Sequence, residues 1–205
     1  MRATAIGIDI GGTGIKGGLV DVLSGEMIGD RVRVATPEGG EPEDIARVVR
    51  EVIEQLDAPE DVPVGICFPS SIRHGVTMLA ANISQRWIGF EAEKFFEKEL
   101  GRNIHFVNDA DAAGYAEVVY GAAKDHKGLV IMTTLGTGIG AAMIYDGVLI
   151  PNAELGHLEI DGFDAEKRAS GVVREREGLS YPEWAERLQR YYSHVEMLFS
   201  PELFI

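Results

Sequence analysis

Short apolar runs bounded by glycine or polar clusters alternate along this chain with longer stretches that carry apolar residues every third or fourth position. Positions 4–10 form such a run, closed by Gly11-Gly12, and predict a buried strand. Positions 15–22 predict its return, and 32–35 a third strand after the Ser24-Gly25 turn. Positions 36–42 read as a polar loop. From 43 to 56 apolar residues fall at 45, 48, 49, 52, 53 and 56, the stripe of an amphipathic helix. Strands are predicted over 64–68 and 104–108, a helix over 91–100 stopped by Gly101, and a small-residue helix over 110–120.

The pattern then restarts. A β-rich run at 129–134 meets Gly136-Thr137-Gly138, a returning strand spans 139–145, and Asp146-Gly147 makes a favoured hairpin turn into 148–150. Helical patterns cover 165–177 and 182–199, the second with Trp184, Leu188, Tyr191, Val195 and Leu198 as one stripe. Positions 203–205 look like the start of a strand with no partner. Two similar units therefore each open with a strand, a glycine turn and a returning strand. They are divided here into domains 1–120 and 121–205 of an α/β protein.

Composition narrows the function. The chain has 205 residues, 45% hydrophobic and 25% charged, enough for real cores. No run of 18 apolar residues exists, so no membrane span is expected, and positions 1–10 lack a signal peptide's long apolar stretch. Cys67 is the only cysteine, which excludes an intrachain disulfide and a cysteine zinc cluster; a cytoplasmic location is expected. Asp plus Glu number 33 against 19 Lys plus Arg, net −14, so nucleic acid is not an expected partner. A polyanionic substrate would have to be gripped locally, by backbone amides and a few cations.

The two glycine turns, Gly11-Gly12-Thr13-Gly14 and Gly136-Thr137-Gly138, offer such a grip. Glycine permits close approach and positive φ, and backbone amides in such turns can point at phosphate. Thr13, Thr134 and Thr137 add hydroxyls, Lys16 a point charge, and Asp9 a hard oxygen ligand for Mg2+ through water. Neither turn is a P-loop or a dinucleotide fingerprint, because a strand follows each and no helix does. Each alone could be an ordinary hairpin turn; the pair, in equivalent places, points to phosphate. Asp109, at a strand–helix junction, reads as a helix cap or as a general base accepting a sugar hydroxyl's proton. Asp111 would point elsewhere, solvated or capping. The cluster Asn152-Ala-Glu154-Leu-Gly-His157 supplies donors and acceptors suited to sugar hydroxyls. Asn82 and Trp87 lie in a polar loop, where Trp87 reads better as core packing.

Together, Asp9-Ile-Gly-Gly-Thr-Gly-Ile-Lys16, Asn108-Asp109, Leu135-Gly-Thr-Gly-Ile-Gly140 and Glu154-Leu-Gly-His157 resemble the ROK sugar kinases. Positions 133–162 and 181–205 look closest to the bacterial polyphosphate glucokinase branch of that family. The resemblance covers essentially all 205 residues. It implies an actin-like ATPase (ribonuclease H-like) fold of two α/β domains with a central cleft, the second domain incomplete. It implies phosphoryl transfer from inorganic polyphosphate or ATP to O6 of glucose, with Mg2+ as helper. By motif match Asp109 would be the base, and Asn82, Asn108, Glu154 and His157 would contact glucose, as would Glu166 on a looser match. Gly11, Gly12, Thr13, Gly14, Lys16, Thr134, Gly136, Thr137 and Gly138 would hold donor phosphates. Lys16, Lys124 and Lys127 are candidates for the polyphosphate path, the last two equally readable as solvated surface.

Two departures carry expectations. Zinc-containing members have a cysteine cluster after Glu-x-Gly-His; here 159–168 holds no cysteine, so no zinc is expected. The family also continues beyond a position like Ile205, so a missing segment is expected to leave an open sheet edge, to favour a homodimer or other self-association, and to harm ATP use more than polyphosphate use. The alternatives are an ATP-only ROK kinase for another hexose such as mannose, and a catalytically inactive sugar-binding fragment.

Overall fold

Successive side chains of a strand alternate between faces, so Ile6, Ile8 and Ile10 of β1 (Thr4–Ile10) share one side. They form a core with Val64, Ile66 and Phe68 of β4 (Val64–Phe68) and Ile104 and Phe106 of β7 (Ile104–Asn108). The strand β2 (Ile15–Asp21) returns antiparallel to β1, and β3 (Glu26–Val34) pairs with β2. The resulting sheet has the order β3-β2-β1-β4-β7, with β4 and β7 parallel to β1. The computed structural model describes residues 3–80 and 83–205. Asn82, one of the expected sugar contacts, lies outside the described residues.

One face of this sheet is covered by α1 (Pro42–Gln55) and α2 (Ala92–Leu100). Ile45, Val48, Val49 and Val52 of α1 are buried, as its stripe predicts, each contributing about 1.5–3 kcal/mol of transfer free energy before chain entropy is charged against it. Gly17 lets β2 approach this helix: a β-carbon there would overlap Val52 and stand 2.9 Å from Ile8 Cδ1. Gly101 ends α2 in the left-handed conformation. The short hairpin β5 (Ile72–Arg73) and β6 (Val76–Thr77) and a 3-10 turn at Gln85–Trp87 lie between β4 and α2. Trp87 is fully buried, 4.6 Å from the Phe68 ring, with its Nε1–H donating to the Gly40 carbonyl at 2.8 Å. Core packing is therefore its role.

The chain forms two compact units, Met1–Ala112 and Ala113–Ile205. The helix α3 (Asp109–Tyr120) begins in the first and ends in the second. The second unit is built on β8 (Leu129–Leu135), β9 (Ile139–Tyr145) and β10 (Val148–Ile150), joined by tight turns. It adds the hairpin β11 (Glu159–Ile160) and β12 (Phe163–Asp164), α4 (Glu166–Ala169), α5 (Gly171–Glu177), α6 (Tyr181–Phe199) and β13 (Leu203–Phe204). The sheet order is β10-β9-β8-β13. Ile131, Ile139 and Ala141 pack with Tyr191 and Val195 of α6 on one face, and Val130, Met132, Ala142 and Ile144 form a second cluster on the other. Burial on both faces explains why β8 reads as a continuous apolar run.

Four expectations are corrected. The third strand starts at Glu26, directly after the Ser24-Gly25 turn; its first half is mostly exposed and contains Gly29 at a φ of 75°, so it shows no apolar run. Positions 203–205 do find a partner: β13 runs parallel to β8, with Leu203 opposite Val130 and Phe204 opposite Ile131. The single helix expected at 165–177 is broken at Ser170, whose extended ψ of 161° lets Gly171 pass close to the Leu135 carbonyl, where a β-carbon would stand at 2.6 Å. The stripe of α6 ends on partly buried Phe199, and Leu198 is 49% exposed.

Candidate functional site

In the first unit the ladder registers place Arg33, Lys16, Asp9, Cys67 and Val107 in one row across five strands, on the face opposite the isoleucine core. Lys16 Nζ donates to Asp9 Oδ2 at 2.9 Å, so the expected phosphate cation and metal-ligand carboxylate form one ion pair. The first glycine turn lies just beyond this row. It closes by Gly11 N–H donating to the Gly14 carbonyl at 3.1 Å, and Thr36 Oγ1 donates to the Gly11 carbonyl at 2.5 Å. Gly11 and Gly14 do not use the left-handed region, contrary to one reason offered for glycine here. What Gly14 does is admit Arg33: a β-carbon would stand 2.9 Å from the guanidinium Nε. Gly12 and Thr13 are exposed at the tip.

At the β7–α3 junction, Asn108 takes the capping role. Its Oδ1 accepts from Asp111 N–H at 2.9 Å and its Nδ2 donates to the Ser70 carbonyl at 3.0 Å. The cap thus falls to Asn108, and Asp109 Oδ1 accepts from the adjacent Ala110 N–H at 2.9 Å. Desolvation raises the Asp109 pKa above the ordinary carboxylate value; the Ala110 N–H opposes this and the nearby Asp9 charge adds to it. Burial, then the charges of Asp9 and Asp109, push the Cys67 thiol up to about 12, so these three groups share one electrostatic neighbourhood. Asp111 is 4% exposed, which corrects its reading as solvated.

In the second unit, Gly136 N–H donates to the Gly138 carbonyl at 3.1 Å, and the Gly136 carbonyl accepts from Val172 N–H at 3.1 Å. Thr134 and Thr137 are exposed, whereas Thr133 Oγ1 pairs with the Tyr192 hydroxyl at 2.7 Å. Lys124 and Lys127 are exposed. Glu166 braces the turn, its Oε2 accepting from Ile139 N–H at 3.2 Å. A 3-10 turn at Leu155–His157 carries the Glu-x-Gly-His motif. Its glycine is required by contact, since a β-carbon on Gly156 would overlap the Ile139 carbonyl oxygen. His157 Nδ1 lies 3.1 Å from Asp164 Oδ2 and 3.9 Å from Glu166 Oε1. Burial pulls the His157 pKa down, but the hydrogen bond to Asp164 and the charges of Glu166, Asp164 and Glu154 outweigh it, and the net shift is upward. One atom each of His157, Asp164 and Glu166 falls within 4.8 Å of the others, a spacing that a cation could bridge; the His157 and Asp164 atoms are also hydrogen-bonded to each other.

The structure thus gathers Asp9, Lys16, Asp109 and the first turn in one unit, and His157, Glu166 and the second turn in the other. Sequence reasoning missed Arg33 and Asp164. Arg33 emerges only from the β2–β3 register, and Asp164 only from the hairpin that folds it back seven residues onto His157.

Among the described residues no helix is long and apolar enough to cross a membrane. The ROK family model matches residues 5–174. The chain is 45% identical over 200 residues to a polyphosphate glucokinase of Mycobacterium tuberculosis, covering 97% of this chain and 75% of that protein. It superposes with a TM-score of 0.95 on the inorganic polyphosphate/ATP-glucomannokinase of Arthrobacter sp. strain KM, 55% identical, covering 98% of this chain and 82% of that one. A ROK family glucokinase from Streptomyces griseus, solved with glucose and AMPPNP, has the same fold, with a TM-score of 0.78 at 23% identity, over 98% of this chain and 81% of that one. The motif residues fall on the strand ends and turns of an α/β fold shared with these kinases, and the chain belongs to the ROK family.

Proposed function

We propose that this chain acts as a glucokinase that transfers a phosphoryl group from inorganic polyphosphate or ATP to O6 of glucose. The observation that carries the reading is Asp109: a carboxylate released from capping by Asn108, with raised proton affinity, beside the Asp9–Lys16 pair and the first glycine turn. Its roles follow from that chemistry. The glucose 6-hydroxyl gives its proton to Asp109 as the oxygen attacks the donor's terminal phosphorus. The bond from that phosphorus to the bridging oxygen breaks, leaving glucose 6-phosphate and either a polyphosphate one unit shorter or ADP.

Lys16 and Arg33, side by side across the ladder, supply positive charge next to the turn amides for the donor phosphates. In the second unit, Glu154, His157 and Glu166 supply acceptors and donors for sugar hydroxyls, and the exposed Thr134 and Thr137 hydroxyls serve phosphate. Magnesium suits the donor set. Asp9 is a hard oxygen ligand whose carboxylate, paired with Lys16, would hold the ion through water. When bound, the ion neutralises phosphate charge.

A wider acceptor range is favoured by one finding: the 55% identical structure is a glucomannokinase, so mannose is expected as a second acceptor. The test is hexose 6-phosphate production by this chain with magnesium, on glucose and mannose, with polyphosphate or ATP, alongside Asp109→Asn. Turnover on either donor that the variant abolishes supports the reading. Glucose binding without turnover on any donor would make the chain a sugar-binding fragment.

A further inference from the structure

The stretch after Glu-x-Gly-His is not a loose connection. Asp161 and Gly162 have φ of 55° and 79°, the pair of left-handed residues of a two-residue type I′ turn. That turn makes β11 and β12 a tight hairpin in which Glu159 stands opposite Asp164. The hairpin is pinned at its tip, where Arg190 of α6 donates to both Asp161 oxygens at 2.7 and 3.0 Å. It is pinned at its base, where Ala165 N–H donates to the Leu158 carbonyl at 2.9 Å. The outcome is a fixed site for the Asp164 carboxylate against the His157 ring.

A carboxylate only accepts hydrogen bonds, so at 3.1 Å it requires a proton on His157 Nδ1. In a neutral imidazole that choice makes Nε2 the bare acceptor. Asp164 has three quarters of its side chain buried, and its Oδ1 is a buried atom with no hydrogen-bond partner among the described residues. A half-satisfied buried carboxylate is costly for a purely structural role. We propose that Asp164 is a positioning residue for sugar recognition: it holds the proton of the neutral His157 ring on Nδ1 and leaves Nε2 to accept from a sugar hydroxyl.

The ionisable groups facing the ring are Asp164 on β12, Glu166 on α4 and Glu154 just before the 3-10 turn. Lys167 lies 4.0 Å from Asp164, and β9, against which the turn packs, contributes no acidic or basic side chain. The inference rests on the assignment of His157 to glucose, so its test separates the two.

The first measurement is the tautomer of His157 by nitrogen-15 NMR of the sugar-free chain, with EDTA, at a pH where the ring is neutral. The Nδ1–H form is expected in the unaltered protein, and a mixed or Nε2–H ring in Asp164→Asn. The second is glucose affinity by calorimetry: about tenfold weaker in Asp164→Asn, the size of one hydrogen bond, and restored by Asp164→Glu, with polyphosphate affinity unchanged in all three. An Nε2–H ring in the unaltered protein overturns the proposal even if the variant does not fold. Unchanged glucose affinity in a folded Asp164→Asn also overturns it. Unchanged glucose affinity in His157→Ala would instead remove His157 from the sugar, whatever its tautomer.

Discussion

Arg33 stands directly opposite Lys16 in the β2–β3 ladder and lays its guanidinium against Gly14, so two cations flank the first glycine turn. Lys16 is paired with Asp9, while Arg33 forms no ion pair among the described residues. Replacing Arg33 by Ala should raise the KM for polyphosphate about tenfold and leave that for glucose unchanged. It should also lower the salt slope of log KM by about one unit, one released counterion fewer. Steady-state kinetics at several salt concentrations checks this; an unchanged slope would return Arg33 to the role of an ordinary edge-strand charge.

The acid limb of kcat/KM should report Asp109, which must be ionised to accept a proton. Desolvation and the Asp9 charge raise its pKa, so the limb should lie above the ordinary carboxylate range. Asp9→Asn removes a neighbouring negative charge, and the limb should then move to lower pH even though overall activity drops. A limb that stays in place would show that the two carboxylates do not sense each other.

The β1–β2 and β8–β9 hairpins, the core stripe of α1 and the two glycine turns were legible because local periodicity and turn chemistry decide them. The break at Ser170 was not, since helical periodicity runs straight through it and only the approach of Gly171 to the Leu135 carbonyl forces the chain open. The reassignment of capping from Asp109 to Asn108 turns on one residue of helix register, which sequence patterns do not resolve. Asp164 and Arg33 remained hidden for a related reason. A lone carboxylate or guanidinium acquires meaning only from the partner that a hairpin or ladder sets beside it.

Gly156→Ala should damage the second unit more than its small size suggests. The added methyl would overlap the Ile139 carbonyl, a backbone group that cannot rotate away. Overpacking of this kind costs about 1–3 kcal/mol, or a fall in Tm of roughly 2–4 °C per kcal/mol for a chain of this size. Glucose affinity should fall as well, because the neighbouring Glu154 and His157 move with the turn. A suitable control is Ser180→Ala, which removes the capping box of α6, where Ser180 Oγ accepts from Glu183 N–H at 3.5 Å and Ser180 N–H donates to Glu183 Oε2 at 2.9 Å. It should cost about 1 kcal/mol without changing glucose affinity. Equal effects of the two variants on glucose would mean that Gly156 matters only for stability.

Asp109 should also cost the fold stability in the pH range where it works. Its pKa is higher folded than unfolded, so the folded state binds more protons between those two values. Its contribution is therefore fully present below the unfolded carboxylate value and is lost as pH rises through the raised folded value. Above that window the ionised carboxylate is held in a site that disfavours it, beside Asp9. Asp109→Asn removes the charge and keeps the shape, and it should melt at a higher temperature than the unaltered protein at neutral pH. The gap should close as the pH is lowered through the window, because Asp109 then becomes neutral too. Melting both proteins from pH 7 downward decides the point. A variant that melts lower at pH 7 would mean that the ionised Asp109 is stabilised by its surroundings, which would contradict the raised proton affinity on which its role as a base depends.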